Sequence, residues 1–137
     1  MDALNDRHHR RPLRKPLFGV PVLLKDNIDT DDMPTTAGSV ALAGSIPPDD
    51  AFIVKKLRTA GAVILAKVNL SEFASGGAYS SLGGQTRNPH DPSRTPSGSS
   101  GGTGAAIAAG YASIGLGTDT GGSIRGPSTS NGIVGLK

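Results

Sequence analysis

Ser123 follows two glycines within Gly117-Thr118-Asp119-Thr120-Gly121-Gly122-Ser123-Ile124-Arg125, a context that suits a hydroxyl nucleophile. Glycines let successive backbone N–H groups converge on one point. Donors fixed beforehand need not reorganise as an oxyanion develops. The amides of Thr120, Gly121, Gly122 and Ser123 are the candidates for that role; the plainer reading of the same residues is a glycine turn with a capping serine. A serine nucleophile also needs a base. His8 and His9 lie in a basic N-terminal arm and His90 sits in a turn between Pro89 and Asp91, so no Ser-His-Asp pattern emerges. Lysine serves instead where burial disfavours its charged form. Lys25 ends an apolar run and is placed for that, its alternative being an ion pair with Asp26 or another acid. Lys55, Lys56 and Lys67 read as helix-surface and strand-end charges.

Pro96-Ser97-Gly98-Ser99-Ser100-Gly101-Gly102 carries a second signal. Glycines flank the serine pair, and the helix that follows points its N–H groups back into the loop. A phosphate loop would want Gly-Lys-Ser/Thr at the helix start, and Thr103 is preceded by Gly102. A Gly-x-Ser-x-Gly nucleophile elbow must follow a strand, whereas the approach here is the loop Asn88-Pro89-His90-Asp91-Pro92. The third reading is a relay serine between a buried lysine and the nucleophile.

Several elements have to position these residues. Val20 to Leu24 reads as a buried strand ending at Lys25. Residues 29 to 48 are loop-like. Asp49 or Asp50 is expected to cap a helix carrying Ile53, Val54, Leu57 and Ala60, with Gly61 as its stop. Ala62 to Ala66 reads as a short buried strand, and Ser71 to Pro96 as irregular. From Gly101 the small residues Thr103 to Ala109 predict a tightly packed helix, followed by a strand over Ser113 to Gly117. Gly132 to Leu136 reads as a last strand. Helix alternating with strand points to an α/β layered fold.

Composition narrows the function classes. The chain has 137 residues, enough for one domain. Sixteen of its 20 glycines fall from Gly76 onward, in a loop-heavy globular segment. The absence of cysteine rules out a disulfide scaffold, a zinc-cysteine site and a thiol nucleophile. The net charge of +3 is that of residues 1–15, where Arg7, Arg10, Arg11, Arg14 and Lys15 outweigh Asp2 and Asp6; from residue 16 onward nine basic residues face nine acidic ones. Residues 1–15 are read as a solvated, disordered basic arm and 16–137 as the folded unit. No apolar run approaches the ~20 residues of a membrane helix, no signal peptide is recognisable, and the expected compartment is the cytoplasm. No nucleic-acid partner, cofactor or metal is expected.

Four stretches together resemble the core of the amidase signature family, Ser-Ser-Lys amide hydrolases. They are Gly19-Val20-Pro21 through Lys25-Asp26, Gly61-Ala62 through Ala66-Lys67-Val68-Asn69, the Gly98-Ser99-Ser100-Gly101-Gly102 loop, and Gly117 to Arg125. The resemblance covers residues 16–137. It implies the family's mixed sheet with flanking helices, present as a partial, truncated domain. It further implies Lys25 as base, Ser99 as the bridging serine beside a cis peptide bond, and Ser123 as the nucleophile that forms an acyl-enzyme on a small-molecule amide. Asp119 and Arg125 are expected to orient the loop. Ser97 stands where the family usually has glycine. The stretch Tyr79 to Thr86 leans toward general amidases over the transfer-RNA amidotransferase family members. Two other readings compete with the hydrolase: an inactive fragment acting as an interaction module, and, more distantly, a nucleotide-binding domain. Self-association is expected through an exposed sheet edge at Gly132 to Lys137.

Overall fold

Val22, Leu23 and Leu24 have no polar side chain to offer solvent, and a strand buried on both faces is the arrangement that satisfies them. In the computed structural model, which describes residues 15–137, they form the centre of strand β1, Pro21–Lys25. β1 lies between two parallel neighbours, β2 (Val63–Val68) and β5 (Ile114–Leu116), in the order β2-β1-β5. Leu23 pairs with Ala66 on one side and Gly115 on the other, and a bulge shifts the β1–β2 register between Val22 and Leu23. Helix α1, Phe52–Thr59, makes the crossover from β1 to β2 that parallel strands require. A separate antiparallel pair, β3 (Tyr79–Ser80) and β4 (Gly84–Gln85), interrupts the stretch expected to be irregular. A short 3-10 turn spans Glu72–Ala74.

Alternation along β1 sorts its side chains by face. Val22 and Leu24 pack with Ile28 and Val54 of α1, while Leu23 packs with Ala106 and Ala112 on the opposite side. Lys25, two residues after Leu23, therefore shares the face covered by helix α2, Gly101–Ala108. Burial of each leucine contributes about 2–3 kcal/mol. Helix α2 is made of small residues and comes close enough to the β2 exit for Gly102 N to donate to Asn69 O at 3.1 Å. Asn69 in turn secures the hairpin: its Nδ2 donates to Gly84 O and Thr86 Oγ1, and its Oδ1 accepts from Ser80 Oγ.

Three expectations are corrected. Neither Asp49 nor Asp50 caps α1; Ala51 stands at the cap without a side-chain bond. Asp50 is drawn instead to Arg58 Nε (2.9 Å) and Asp31 N (3.1 Å), and Arg58 also pairs with Asp32, so its guanidinium neutralises the converging carboxylates of Asp31, Asp32 and Asp50. Strand β2 is only half-buried, with Val63 and Leu65 about half exposed. Lys67 is a strand-end charge as expected, and its ammonium pairs with Asp26 at 3.1 Å in a nearly enclosed site. Finally, Gly132 to Leu136 is not a strand. Gly132 is the left-handed C-cap (φ 66°) of helix α3, Arg125–Asn131, a helix that the periodicity of the sequence does not announce. Its sequence Arg-Gly-Pro-Ser-Thr-Ser-Asn is poor in helix formers. Pro127 is tolerated because the N–H groups of a first turn have no intrahelical partner. The basic arm lies outside the described residues up to position 14. Among the described residues, no helix is long and apolar enough to cross a membrane.

Candidate active site

Parallel strands deliver the residues that follow them to one edge of the sheet, and ligand sites of open α/β sheets lie there. Lys25 ends β1 and Thr118 follows β5. Between them sits the loop entering α2. Lys25 is fully buried, and its Nζ lies 2.6 Å from Ser99 Oγ, 2.7 Å from Thr118 Oγ1 and 3.4 Å from Thr118 O. Asn27 Nδ2 donates to the same Thr118 hydroxyl at 3.1 Å. The acid next in sequence, Asp26, turns away to Lys67 and accepts from Thr36 Oγ1. Among the described residues Lys25 thus has hydroxyl and carbonyl partners but no carboxylate. Burial pulls its pKa down from 10.5 to about 8, with the charge of Asp119 opposing part of the fall.

Ser99 is fully buried, and the Gly98–Ser99 peptide bond is cis. A side chain at position 98 cannot be accommodated, because a Cβ there would lie 1.5 Å from Gly77 O. Ser99 O accepts from Ser71 N at 3.1 Å. Ser100, the other member of the pair, does not reach Lys25; its Oγ engages Thr118 N and Thr118 O, each at 3.3 Å. Ser97 holds φ 61°, a conformation that glycine adopts more easily, and its N–H donates to Thr95 Oγ1.

The loop that bears Ser123 is organised by Asp119, whose side chain is nearly inaccessible. It accepts from Arg125 Nε and Nη2 and from the amides of Gly122 (2.7 Å), Ile124 (3.1 Å) and Arg125 (3.3 Å). The Arg125 guanidinium first, and these amides after it, hold the Asp119 carboxyl far below the ordinary carboxylate range. The Ser123 carbonyl accepts from Ser100 N at 3.2 Å, which fixes the Ser123 loop to the residue after Ser99. Its Oγ makes no hydrogen bond to Ser99 among the described residues. Of the four oxyanion-hole candidates, the Gly122 amide is occupied by Asp119, while Thr120, Gly121 and Ser123 keep their N–H groups free of protein acceptors among the described residues. Thr118 is the site residue that sequence reasoning missed; only the β1–β5 pairing places it beside a lysine 93 residues away.

The profile of the Amidase family matches residues 2–137. The chain is a member of the amidase family. Among curated relatives, the homologous glutamyl-tRNA(Gln) amidotransferase component of Acidothermus cellulolyticus is 58% identical over 123 residues, covering 89% of this amidase chain and 24% of that protein. Among solved structures, a peptide amidase in complex with the competitive inhibitor chymostatin aligns at TM-score 0.88 and 52% identity, over 97% of this chain and 28% of that one. The corresponding glutamyl-tRNA(Gln) amidotransferase component of Thermotoga maritima aligns at TM-score 0.78 and 48% identity, over 81% and 25%. This amidase chain therefore spans about a quarter of the length of the relatives it matches. Both kinds of relative lie at similar overall identity.

Proposed function

We propose that the chain carries the catalytic core of an amide hydrolase in which Lys25, Ser99 and Ser123 relay one proton. The observation that carries this reading is the 2.6 Å contact between a buried Lys25 Nζ and Ser99 Oγ, with no carboxylate paired to the lysine among the described residues. Deprotonated Lys25 has two N–H bonds and one lone pair. Thr118 Oγ1 and Thr118 O accept the N–H bonds, which aims the lone pair at the Ser99 hydroxyl. Lys25 takes the proton of Ser99 as Ser99 takes that of Ser123, and Ser123 Oγ attacks the carbonyl carbon of a carboxylic amide. The proton then returns along the same path to the leaving nitrogen, the C–N bond breaks, and water releases the acid from the acyl-enzyme. The free amides of Thr120, Gly121 and Ser123 would stabilise the oxyanion, and the Gly122 amide, bonded to Asp119, would hold the loop open toward it. Donors of this kind are each worth about 10²–10³ in rate.

The test is the intact mass of the protein after exposure to a fluorophosphonate serine probe. One adduct is expected, lost in Ser123→Ala and slowed by about 10³-fold or more in Lys25→Ala and Ser99→Ala, because members of such a unit fail together. Equal labelling of Ser123→Ala overturns the reading by putting the reactive serine elsewhere, and no adduct on the wild-type chain overturns it in favour of the inactive-module alternative.

A further inference from the structure

The two serines of the relay lie on separate segments: the loop containing Ser99, and the loop containing Ser123 with the helix α3 that follows it. Ser100 ties them together close to the chemistry. A second tie lies on the far side of α3. Asn131, in its last turn, is fully buried, and its Nδ2 donates to Pro96 O at 2.9 Å and to Pro127 O at 2.8 Å. Pro96 stands three residues before Ser99. The approach to that loop also grips the end of α3. Asn88 Nδ2 donates to Ser130 O at 2.7 Å, and His90 Nε2 lies 3.0 Å from Asn131 O. With Gly132 N and Ile133 N on Thr129 O and Ser128 O, all four terminal carbonyls of α3 find donors, two of them from the Ser99 approach. Helix α2 closes the third side: a Cβ at Gly104 would lie 2.9 Å from Asn131 Nδ2.

We infer that Asn131 is a positioning residue for the reaction, locking the Pro96–Ser99 segment to the helix that follows Ser123. This inference rests on the relay proposed above. The side chain retains an amide despite an energetic cost, since Asn131 Oδ1 is buried without a partner. What the amide supplies is its N–H pair, which reaches two backbone carbonyls on different segments at once. An apolar side chain of the same size fills the space and makes neither bond. The carboxylate of aspartate would face both carbonyls with no donor.

Two measurements on Asn131→Leu test this, beside Val54→Ala as a control destabilised in the distant α1 cluster. In amide hydrogen exchange, Asn131→Leu is expected to speed exchange over residues 96–102 by about tenfold or more while β1 and β2 are unchanged; Val54→Ala does not produce that pattern. In fluorophosphonate labelling under saturating probe, Asn131→Leu is expected to lower the maximal rate by about tenfold or more. The pH midpoint should stay where it is in the wild type, because the Lys25–Ser99 contact is untouched. Unaltered exchange at 96–102 overturns the inference, as does altered exchange with an unchanged labelling rate. A wild-type chain that takes no label removes the hydrolase reading and with it the positioning role, and exchange altered as expected then shows Asn131 as a structural tether alone.

Discussion

Burial lowers the Lys25 pKa from 10.5 to about 8, and the shift has an energetic cost as well as a chemical use. Below pH 8 the folded protein holds a charged ammonium in an enclosed site, a penalty of about 3 kcal/mol. Between pH 8 and 10.5 the unfolded chain binds the proton that the folded one has released, so stability rises with pH across that window. Lys25→Met is accordingly expected to be more stable than the wild type at pH 6, with the advantage shrinking toward pH 10.5. Denaturant titrations at several pH values check the sign, and an advantage that grew with pH would refute it. The labelling rate of the wild type should rise with pH about a midpoint near 8. A flat profile would mean that Lys25 is not the base. Lys25, Ser99 and Ser123 could be proposed from the sequence because each stands inside a short, chemically distinctive stretch, and the structure brings Lys25 and Ser99 into contact. Thr118 could not be, since a threonine ahead of Asp119 reads as loop until β5 pairs with β1. The partner of Lys67 was hidden for the same reason: Asp26 is distant in sequence and reaches it only through the sheet.

Strand β1 is the element on which the others depend, because it is buried on both faces and presents Lys25 at its end. Leu24→Ala removes its contact with Ile28 and Val54 and is expected to cost about 2–5 kcal/mol, measurable by denaturant unfolding. A loss under about 1 kcal/mol would place the core elsewhere. Apolar runs revealed β1, and helical spacing revealed α1. The short hairpin β3–β4 was invisible because two-residue strands carry no period, and it exists through the side-chain bonds of Asn69. Helix α3 was missed because its residues favour turns. Side-chain bonds from Asn88 and His90, and the one Asn131 makes to Pro96, hold what its own propensity does not.

At the scale of the molecule, helices cover both faces of the small sheet, but its outer strands β2 and β5 each pair on one side only within the described residues. The C-terminal segment lies beside β5 with Val134 98% and Leu136 87% exposed. The edge expected at Gly132 to Lys137 is not a strand, and we propose instead that these apolar side chains, with the open edge of β5, carry self-association. Sedimentation velocity across a concentration series should show association that the double substitution Val134→Asp, Leu136→Asp reduces. An unchanged distribution would exclude this surface. The α/β class was legible from alternating helix and strand; the order β2-β1-β5 was not, because parallel neighbours are chosen by packing across long stretches of chain.

That order also governs when the protein acquires its chemistry. The central strand is made well before its partner β5, and the residues that meet Lys25 lie 74 and 93 positions further along. A nascent chain emerging from the ribosome therefore carries Val22-Leu23-Leu24 without its second neighbour until β5 has been synthesised. Topologies ruled by such distant pairings fold slowly, typically in milliseconds to seconds, and leave sticky surface uncovered meanwhile. Lys25 is desolvated by segments that arrive long after it, so the proposed base gains its lowered pKa only once those distant pieces have docked.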